Sequence, residues 1–350
     1  MVMTRRDHAA IDGPVAMSAA PRQAVRAPHE PTLALSSPPG HGRFLLRGAV
    51  AVWHEIAGMG AQILRARFFA PPARLAGCFT SFYLLEVDLA DGERVRDHLH
   101  PEWSNLRFFF GGLPDAEILG GRTVGGTPFI ATGPTCLPAS FRLPATRSWG
   151  VGLLPLGWAR FMDVPARELA NKVSDGLCHP AFAGFAALYE ALLGASGDDE
   201  GQAKLIGDFF VARDRPVRSG PKIAAVHEAL VDPETHGAAQ LAARANITQR
   251  TLERLCARYF GFTPQQLIRR QRMMRTLSAF MLADRACWSQ VIDLHYTDHA
   301  HFTREFHAFM CMSPRAYAAL DHPILSAFMA ERARIMGSPA QTLDCPGALR

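Results

Sequence analysis

The sequence predicts an α+β protein in which a β-rich N-terminal region precedes an all-α C-terminal region. Segments between residues 79 and 154 are rich in β-branched and aromatic residues and are separated by Gly and Pro. Beyond about residue 213, apolar residues recur three and four apart, which is the helical period. A motif also repeats near the C-terminus, where Leu252 and Phe302 occupy equivalent positions. At 350 residues the chain exceeds what one hydrophobic core usually organises, so we expect two domains with loose ends.

The first residues, 1–43, are expected to form a disordered arm, because they are rich in Ala, Pro and Ser without periodicity. Asp12 interrupts any signal-peptide core. No stretch reaches the roughly 18 uninterrupted apolar residues of a membrane span, since the longest candidate, 48–64, contains His54 and Glu55. The 7 cysteines are scattered without a Cys-x-x-Cys pair, which indicates reduced thiols and a cytoplasmic protein.

Residues 44–212 predict a small antiparallel barrel or sandwich followed by short helices. We expect strands at 79–88, 105–110, 128–132 and 148–154, and helices at 157–159, 165–172 and 181–193. Polar and aromatic side chains on such strands would line a barrel interior. The candidate pocket residues are Tyr83, His98, His100, Trp103, Arg107 and Trp149. His98 and His100 would share a strand face, but no third ligand is evident, so we predict neither a metal nor another cofactor.

The first copy of the repeat predicts a helix-turn-helix unit. Residues 241–245 favour a short helix that Asn246 can end, because asparagine tolerates left-handed backbone angles. Thr248 is a good N-cap for the second helix. The spacing predicts that this helix buries Leu252, Leu255 and Cys256 and exposes Arg250, Glu253, Arg254 and Arg258.

The second copy predicts the same arrangement. Val291 and Ile292 are expected to pack the leading helix, and Asp298 to cap the next one. The predicted buried stripe is Phe302, Phe306 and Phe309, and the predicted exposed residues are His299, Thr303 and Arg304. Each copy ends with a capping hydroxyl before a proline, at Thr263-Pro264 and Ser313-Pro314, which predicts that a further helix starts there.

A connecting helix is predicted from Pro264 to about Leu282. Its expected inner seam is Leu267, Met274, Leu277 and Met281, with Arg269, Arg270, Arg272 and Arg275 around the rest. At about 1.5 Å per residue it would span on the order of 28 Å, close to the ~34 Å between successive major grooves. Two reading helices on one rigid rod could therefore reach adjacent grooves.

Positive charge is concentrated in the helical region. Residues 215–320 contain 14 Lys+Arg and 8 Asp+Glu, whereas the rest of the chain carries a net charge of −1. This excess predicts salt-sensitive binding to a polyanion. Acidic membranes are the competing target, but the arginine-studded helix faces lack the apolar bulk that membrane binding needs.

On these motifs, residues 218–320 resemble the DNA-binding domain of AraC-type (AraC/XylS) transcription regulators. The resemblance is strongest at Leu241-Ala242, Thr248, Arg250 to Leu252, Arg254, Tyr296, Asp298, His301 to Phe306, Met312 to Pro314 and Tyr317. It implies that the recognition helices meet base edges through Thr248, Arg250, Thr251, Glu253 and Arg254 in the first unit, and through His299, Thr303 and Arg304 in the second.

For three of these residues the interpretation stays open. Arg254 and Arg304 can contact bases or clamp phosphates, and Glu253 can accept from cytosine or merely pair with a neighbouring arginine. One departure from the family pattern is His295, which stands where a glycine is expected. A non-glycine there predicts backbone strain and a weaker second unit.

Residues 44–212 more weakly resemble the cupin-like N-terminal domains of such regulators, at 153–157 and 164–169. This resemblance implies effector binding or dimerisation. We therefore predict a sequence-specific DNA-binding transcription regulator, not an enzyme, controlled by a small effector. Double-stranded DNA is the expected partner, with an effector, a second copy of the chain and RNA polymerase as further partners. A C-terminal helix and tail would occupy 321–350, with fraying from about Gly337.

Two alternatives belong to other functional classes. A cupin-type metalloenzyme fused to a nucleic-acid-binding module would contain bound metal and depend on His98 and His100. A DNA-repair methyl acceptor would need a zinc-held cysteine cluster, for which Cys78 and Cys136 are too isolated.

Overall fold

The computed structural model describes residues 54–57, 63–195, 198–283 and 287–346. The predicted arm at 1–43 and the last four residues of the predicted tail, 347–350, lie outside this part of the chain.

The N-terminal region consists of two antiparallel sheets, as the sequence predicts. The larger sheet has the order β1-β2-β3-β10-β5-β8-β11, and the smaller has the order β4-β9-β6-β7. The strands are β1 His54–Ala57, β2 Ile63–Phe69, β3 Phe79–Asp88, β4 Val95–Leu99, β5 Ser104–Gly111, β6 Asp115–Ile118, β7 Val124–Gly125, β8 Phe129–Thr132, β9 Ala139–Leu143, β10 Thr146–Leu153 and β11 Val173–Asp175. The predicted strands correspond to β3, β5, β8 and β10.

Both faces of the larger sheet are covered. Successive side chains of a strand point in opposite directions, so alternate residues of β3 pack into different clusters. Tyr83 and Leu85 on β3 belong to an apolar cluster that includes Phe141 and Leu143 of the smaller sheet. Phe82 and its neighbour Leu84 belong to a second cluster formed with the helices that follow β10. Near-continuous burial along β3 follows from this double packing.

Helices make up most of the remaining chain. They are α1 Pro155–Phe161, α2 Ala166–Leu169, α3 Ala186–Gly194, α4 Asp199–Ala212, α5 Gly220–Val231, α6 Ala238–Arg244, α7 Gln249–Leu255, α8 Pro264–Leu282, α9 Trp288–Val291, α10 His299–Met310, α11 Pro314–Ala318 and α12 Leu325–Met336. The connecting helix α8 has the predicted bounds. Helix α4 was not predicted; the side chain of Asp198 caps it by accepting from the N–H of Gly201. Within the described ranges, none of the helices combines the length and apolar character needed to cross a bilayer.

Helices α5 to α11 enclose one core that includes Leu252, Leu267, Phe302 and Phe306, each essentially inaccessible to solvent. Trp103, from the loop between β4 and β5, belongs to the same core. The helical and β-rich regions therefore share apolar packing.

The chain after α11 returns to the β-rich region. The Phe328 ring on α12 packs against the rings of Phe68 at 4.9 Å and Tyr83 at 5.1 Å between centroids. The guanidinium of Arg332 is buried and donates to the Ser338 carbonyl and the Asp344 carboxylate. The prediction of fraying from Gly337 is therefore wrong for 337–346, because these hydrogen bonds hold that segment against the fold.

Candidate nucleic-acid interface and adjoining cavity

The first helix-turn-helix unit has the predicted local geometry. Asn246 adopts a left-handed conformation with φ of 51°, which turns the chain after α6. The Thr248 hydroxyl accepts from the N–H of Thr251 at 3.3 Å and so caps α7. Ile247 between them packs against the helical core. The turn and cap together fix the angle at which α7 leaves α6.

The outer face of α7 is polar and accessible. Arg250, Glu253 and Arg254 are exposed, and Thr251 is half-buried. Glu253 accepts a hydrogen bond from the Gln249 amide at 3.2 Å rather than pairing with an arginine. Within the described ranges, Arg250 and Arg254 form neither a hydrogen bond nor an ion pair. Both guanidinium groups are thus free to bind a phosphate or a base edge.

The second unit is built in the same way. The Asp298 carboxylate accepts from the N–H of His301 at 2.6 Å and caps α10. The predicted stripe of Phe302, Phe306 and Phe309 is buried. His299 and Arg304 are exposed, but Thr303 is half-buried and its hydroxyl donates to the His299 carbonyl at 2.9 Å. Arg304 and His299 are therefore the accessible groups of this helix face.

Backbone strain does not fall at His295, so that prediction is wrong. Among the described residues, the non-glycine positions with positive φ are Asn171, Asn246 and Cys311. The left-handed residue Cys311, with φ of 57°, ends α10 at the position where Gly261 follows α7. His295 instead donates its N–H to the Asp293 carboxylate at 3.0 Å. The Asp293 side chain holds this turn, so the turn needs no left-handed residue.

The predicted inner seam of α8 is buried at Leu267, Met274 and Leu277, but the prediction that every arginine lies outside it is wrong for Arg270. Arg270 is 0% exposed, lies 3.9 Å from the centroid of the Trp103 ring, and donates to the Thr135 carbonyl at 3.0 Å. The helix is buried on almost every side because it packs against both the helical core and the β-rich region.

The other arginines of α8 form ion pairs with the second unit. Arg269 and Arg272 contact the Glu305 carboxylate on α10 at 2.5 and 2.7 Å. Burial opposes ionisation of Glu305, but these two hydrogen-bonded arginines lower its pKa below the usual value. Arg275 likewise contacts Asp293 at 2.7 Å. These ion pairs fix α10 on α8, so the arginines of α8 are engaged, unlike Arg250 and Arg254 on α7.

Comparison with known families agrees with this geometry. The family described as "Helix-turn-helix domain" matches residues 241–319, from α6 to just beyond α11. This region is an AraC-type helix-turn-helix domain. No curated protein matches the chain.

Several solved structures resemble the chain at low identity. ToxT from Vibrio cholerae O395 is 11% identical over 64% of this chain and 96% of its own, with a TM-score of 0.38. An unsaturated fatty acid-bound ToxT from Vibrio cholerae strain SCE256 is 12% identical over 75% and 96%, with a TM-score of 0.36. The AraC-like transcriptional activator CuxR is 15% identical over 61% and 80%, with a TM-score of 0.28.

The N-terminal region contains a cavity of about 80 Å³ between its two sheets. Tyr83 and Arg107, both among the predicted pocket residues, line it. Gly150 on β10 pairs with both of these residues in register. A side chain at position 150 would overlap the Tyr83 ring, so the glycine leaves space for that ring.

A buried polar network forms one end of this cavity. Arg107 donates from Nε to the Tyr83 hydroxyl at 2.9 Å and from Nη2 to both oxygens of Glu102 at 2.7 and 2.8 Å. Asn105 donates to Glu102 at 2.9 Å and to the Gln341 side chain at 3.0 Å. Burial would lower the pKa of Arg107, but the Glu102 carboxylate raises it above its usual value. Glu102 could not be identified from the sequence, because it lies in the loop between β4 and β5, where no alternation marks the direction of its side chain.

The other four predicted pocket residues lie away from the cavity. Trp149 faces the helices and donates to the Gln202 side chain at 2.7 Å, because it follows the opposite side of β10 from Gly150. Trp103 packs under Arg270. The Nε2 atom of His100 lies 2.5 Å from the Tyr317 hydroxyl on α11. These positions connect the β-rich region to the helices.

His98 belongs to a cluster that the sequence did not reveal. Ring nitrogens of His98 and His322 and the carboxylate of Asp97 lie close enough together to hold a metal ion. Asp97, however, already accepts from the N–H groups of His98, Ile324 and Leu325 at 2.6, 2.8 and 2.8 Å. It also lies 3.0 Å from Nδ1 of His322. These bonds identify Asp97 as the anchor for the start of α12, which accounts for the cluster without a metal.

Proposed function

We propose that the chain is a transcription regulator that binds a specific duplex sequence through α7 and α10. The observation that carries this proposal is the matched pair of capped helices, each with an exposed arginine that has no hydrogen-bond or ion-pair partner in the described part of the chain. Arg254 and Arg304 are both exposed and occupy equivalent positions in the two copies. An arginine on a helix that enters the major groove can donate two hydrogen bonds to guanine.

The first test measures binding to a duplex that the purified protein has selected from random sequence. Arg254→Ala should weaken binding by roughly 5- to 150-fold if Arg254 reads a guanine, which corresponds to about 1–3 kcal/mol. It should also relax the base preference at one position. Arg122→Ala removes the same charge from an exposed site in the β-rich region and should leave binding unchanged. Unchanged affinity and base preference in Arg254→Ala would remove the proposed role of that residue.

The second unit needs its own variant, because base contact and phosphate contact have different signatures. If Arg304 clamps a phosphate, Arg304→Ala should weaken binding to selected and scrambled duplexes equally. It should also lower the salt dependence of log K by about one unit. If Arg304 reads a base, only the selected duplex should lose affinity. Equal binding by Arg304→Ala and wild type at every salt concentration would exclude the second unit from the interface.

The cavity supports control by a small effector. It lies within the β-rich region, has mainly apolar walls and has hydrogen-bonding groups at one end, which is the general form of a small-molecule site. The α12 segment that completes its wall follows the second helix-turn-helix unit directly along the chain. An effector in the cavity would therefore contact a segment attached to the DNA-binding domain.

A further inference from the structure

The cavity lining has a charge balance that restricts its occupant. Its charged residues are Glu102, Arg107 and Glu117, which sum to a net negative charge. The one cation among them, Arg107, is bound by both oxygens of Glu102. A carboxylate or phosphate entering the cavity would lose its hydration and would meet no uncompensated cation.

The same network offers hydrogen-bond donors to an uncharged acceptor. The Tyr83 hydroxyl accepts from Arg107 and so keeps its own proton to donate. Within the described ranges, no group accepts from Nη1 of Arg107. Most of the remaining wall is apolar, with Phe109, Ile130 and Phe141 among its residues. The lining thus suits a molecule with an apolar body and one acceptor oxygen.

The cavity must enlarge to admit a ligand of this kind. A volume of about 80 Å³ is smaller than the roughly 300–1,000 Å³ of sites for drug-sized ligands. Two of its walls are sheets whose strands are joined by ladder hydrogen bonds, so neither sheet can open within its own plane without breaking them. On the Phe328 side, α12 is held by ring contacts with Phe68 and Tyr83. Its start is anchored separately, by the hydrogen bonds from Ile324 and Leu325 to Asp97. Because side-chain contacts hold Phe328 in place, movement of this part of α12 about its anchored start would enlarge the cavity.

We infer that this cavity takes an uncharged, mainly apolar molecule with a hydrogen-bond acceptor, such as a ketone, ester or lactone, and that α12 moves to admit it. The inference rests on the proposed function, because it specifies the class of effector. The carbonyl oxygen of the ligand accepts from Tyr83 and Arg107, and its chain lies along the apolar walls.

Calorimetric titration of the full chain with decan-2-one and with decanoate at pH 8 tests the charge preference. The two probes have similar chains and differ in charge. Wild-type protein should bind decan-2-one at least tenfold more tightly than decanoate. Decanoate binding as tightly as the ketone, or no binding of either, would overturn the inference.

Two variants locate the ligand, and a third is the matched control. Glu102→Gln leaves Arg107 without its counter-charge and should shift the preference toward decanoate by tenfold or more. Glu93→Gln removes the same charge from an exposed position away from the cavity lining and should not shift it. Ala116→Phe fills the cavity from β6 and should abolish ketone binding. An unchanged preference in Glu102→Gln, or retained binding in Ala116→Phe, would contradict the assignment.

Duplex binding by the same preparations separates this inference from the proposed function. If the selected duplex binds while neither probe does, the ligand assignment and effector control fail and DNA recognition stands. If the ketone binds but no duplex does, the cavity assignment stands and the regulator proposal fails.

Discussion

Two buried histidines predict that the protein loses stability in mild acid. His100 lies between the β-rich region and α11, and His227 lies on α5 beside the rings of Trp103 and Phe260. Burial lowers the pKa of each to about 3, with smaller contributions from His322 at His100 and from Arg270 at His227. Both side chains therefore stay neutral in the folded protein through the mildly acidic range in which an unfolded histidine takes up a proton.

The magnitude follows from the difference between folded and unfolded pKa values. An unfolded histidine titrates near pH 6.5, so below that pH the unfolded chain binds protons that the folded chain does not. Stability is therefore fully present above pH 6.5 and falls as the pH drops toward 3. At pH 5.5, one unit below the unfolded value, each histidine costs about 1.4 kcal/mol, and the two together cost about 3 kcal/mol. A total stability of roughly 5–15 kcal/mol makes this loss easy to measure.

Urea unfolding at pH 7.5 and pH 5.5 measures this loss through circular dichroism. His227→Gln should retain about half of the pH-dependent loss, because it removes one of the two contributing groups. His307→Gln changes an exposed histidine and should behave like the wild type. Equal stability of the wild type at the two pH values, or the same loss in His227→Gln, would refute the reasoning.

Two further predictions concern stability and recognition. Thr248→Ala removes the N-cap of α7 and should lower the free energy of unfolding by about 1 kcal/mol, whereas Thr248→Ser should keep the wild-type stability. Chemical denaturation measures this difference, and equal stability of the wild type and both variants would contradict it. Arg270→Met should leave the melting temperature unchanged or raise it. Burial lowers the Arg270 pKa to about 10, and within the described ranges its Nε and Nη2 have no hydrogen-bond partner, so a side chain of similar length without charge removes a desolvation cost. A fall of several degrees would instead show that its contact with Trp103 stabilises the fold.

Features determined by neighbouring residues could be predicted from the sequence. The caps at Thr248, Thr263, Asp298 and Ser313 are formed by hydroxyl and carboxylate groups three residues before the N–H they accept from, and all are present. The start of α8 followed from the capping hydroxyl of Thr263 and the proline after it. Local chemistry is sufficient in these cases because the bond closes within one turn.

Features determined by distant residues could not be predicted in this way. The cavity network joins Glu102 and Asn105 to Gln341, more than 230 residues away along the chain. In the sequence pattern, Arg270 lies outside the apolar seam of α8 like the other arginines of that helix. Its burial depends on Trp103 from the β-rich region. Periodicity indicates which face of a helix is apolar, but it cannot show that a polar face meets another domain.

The packing of the two helix-turn-helix units suggests that an occupied cavity would affect them unequally. The turn after α7 packs beside α2, where Gly261 lies close to Pro134, so the first unit rests on a part of the β-rich region away from the cavity. The second unit instead continues through α11 into α12, which forms a wall of the cavity. Movement of α12 would strain the contact between Tyr317 and His100 and loosen α10 and α11. We therefore expect decan-2-one to increase amide hydrogen exchange in 299–318 and to leave 249–255 unchanged. Equal changes in both segments would refute this unequal coupling.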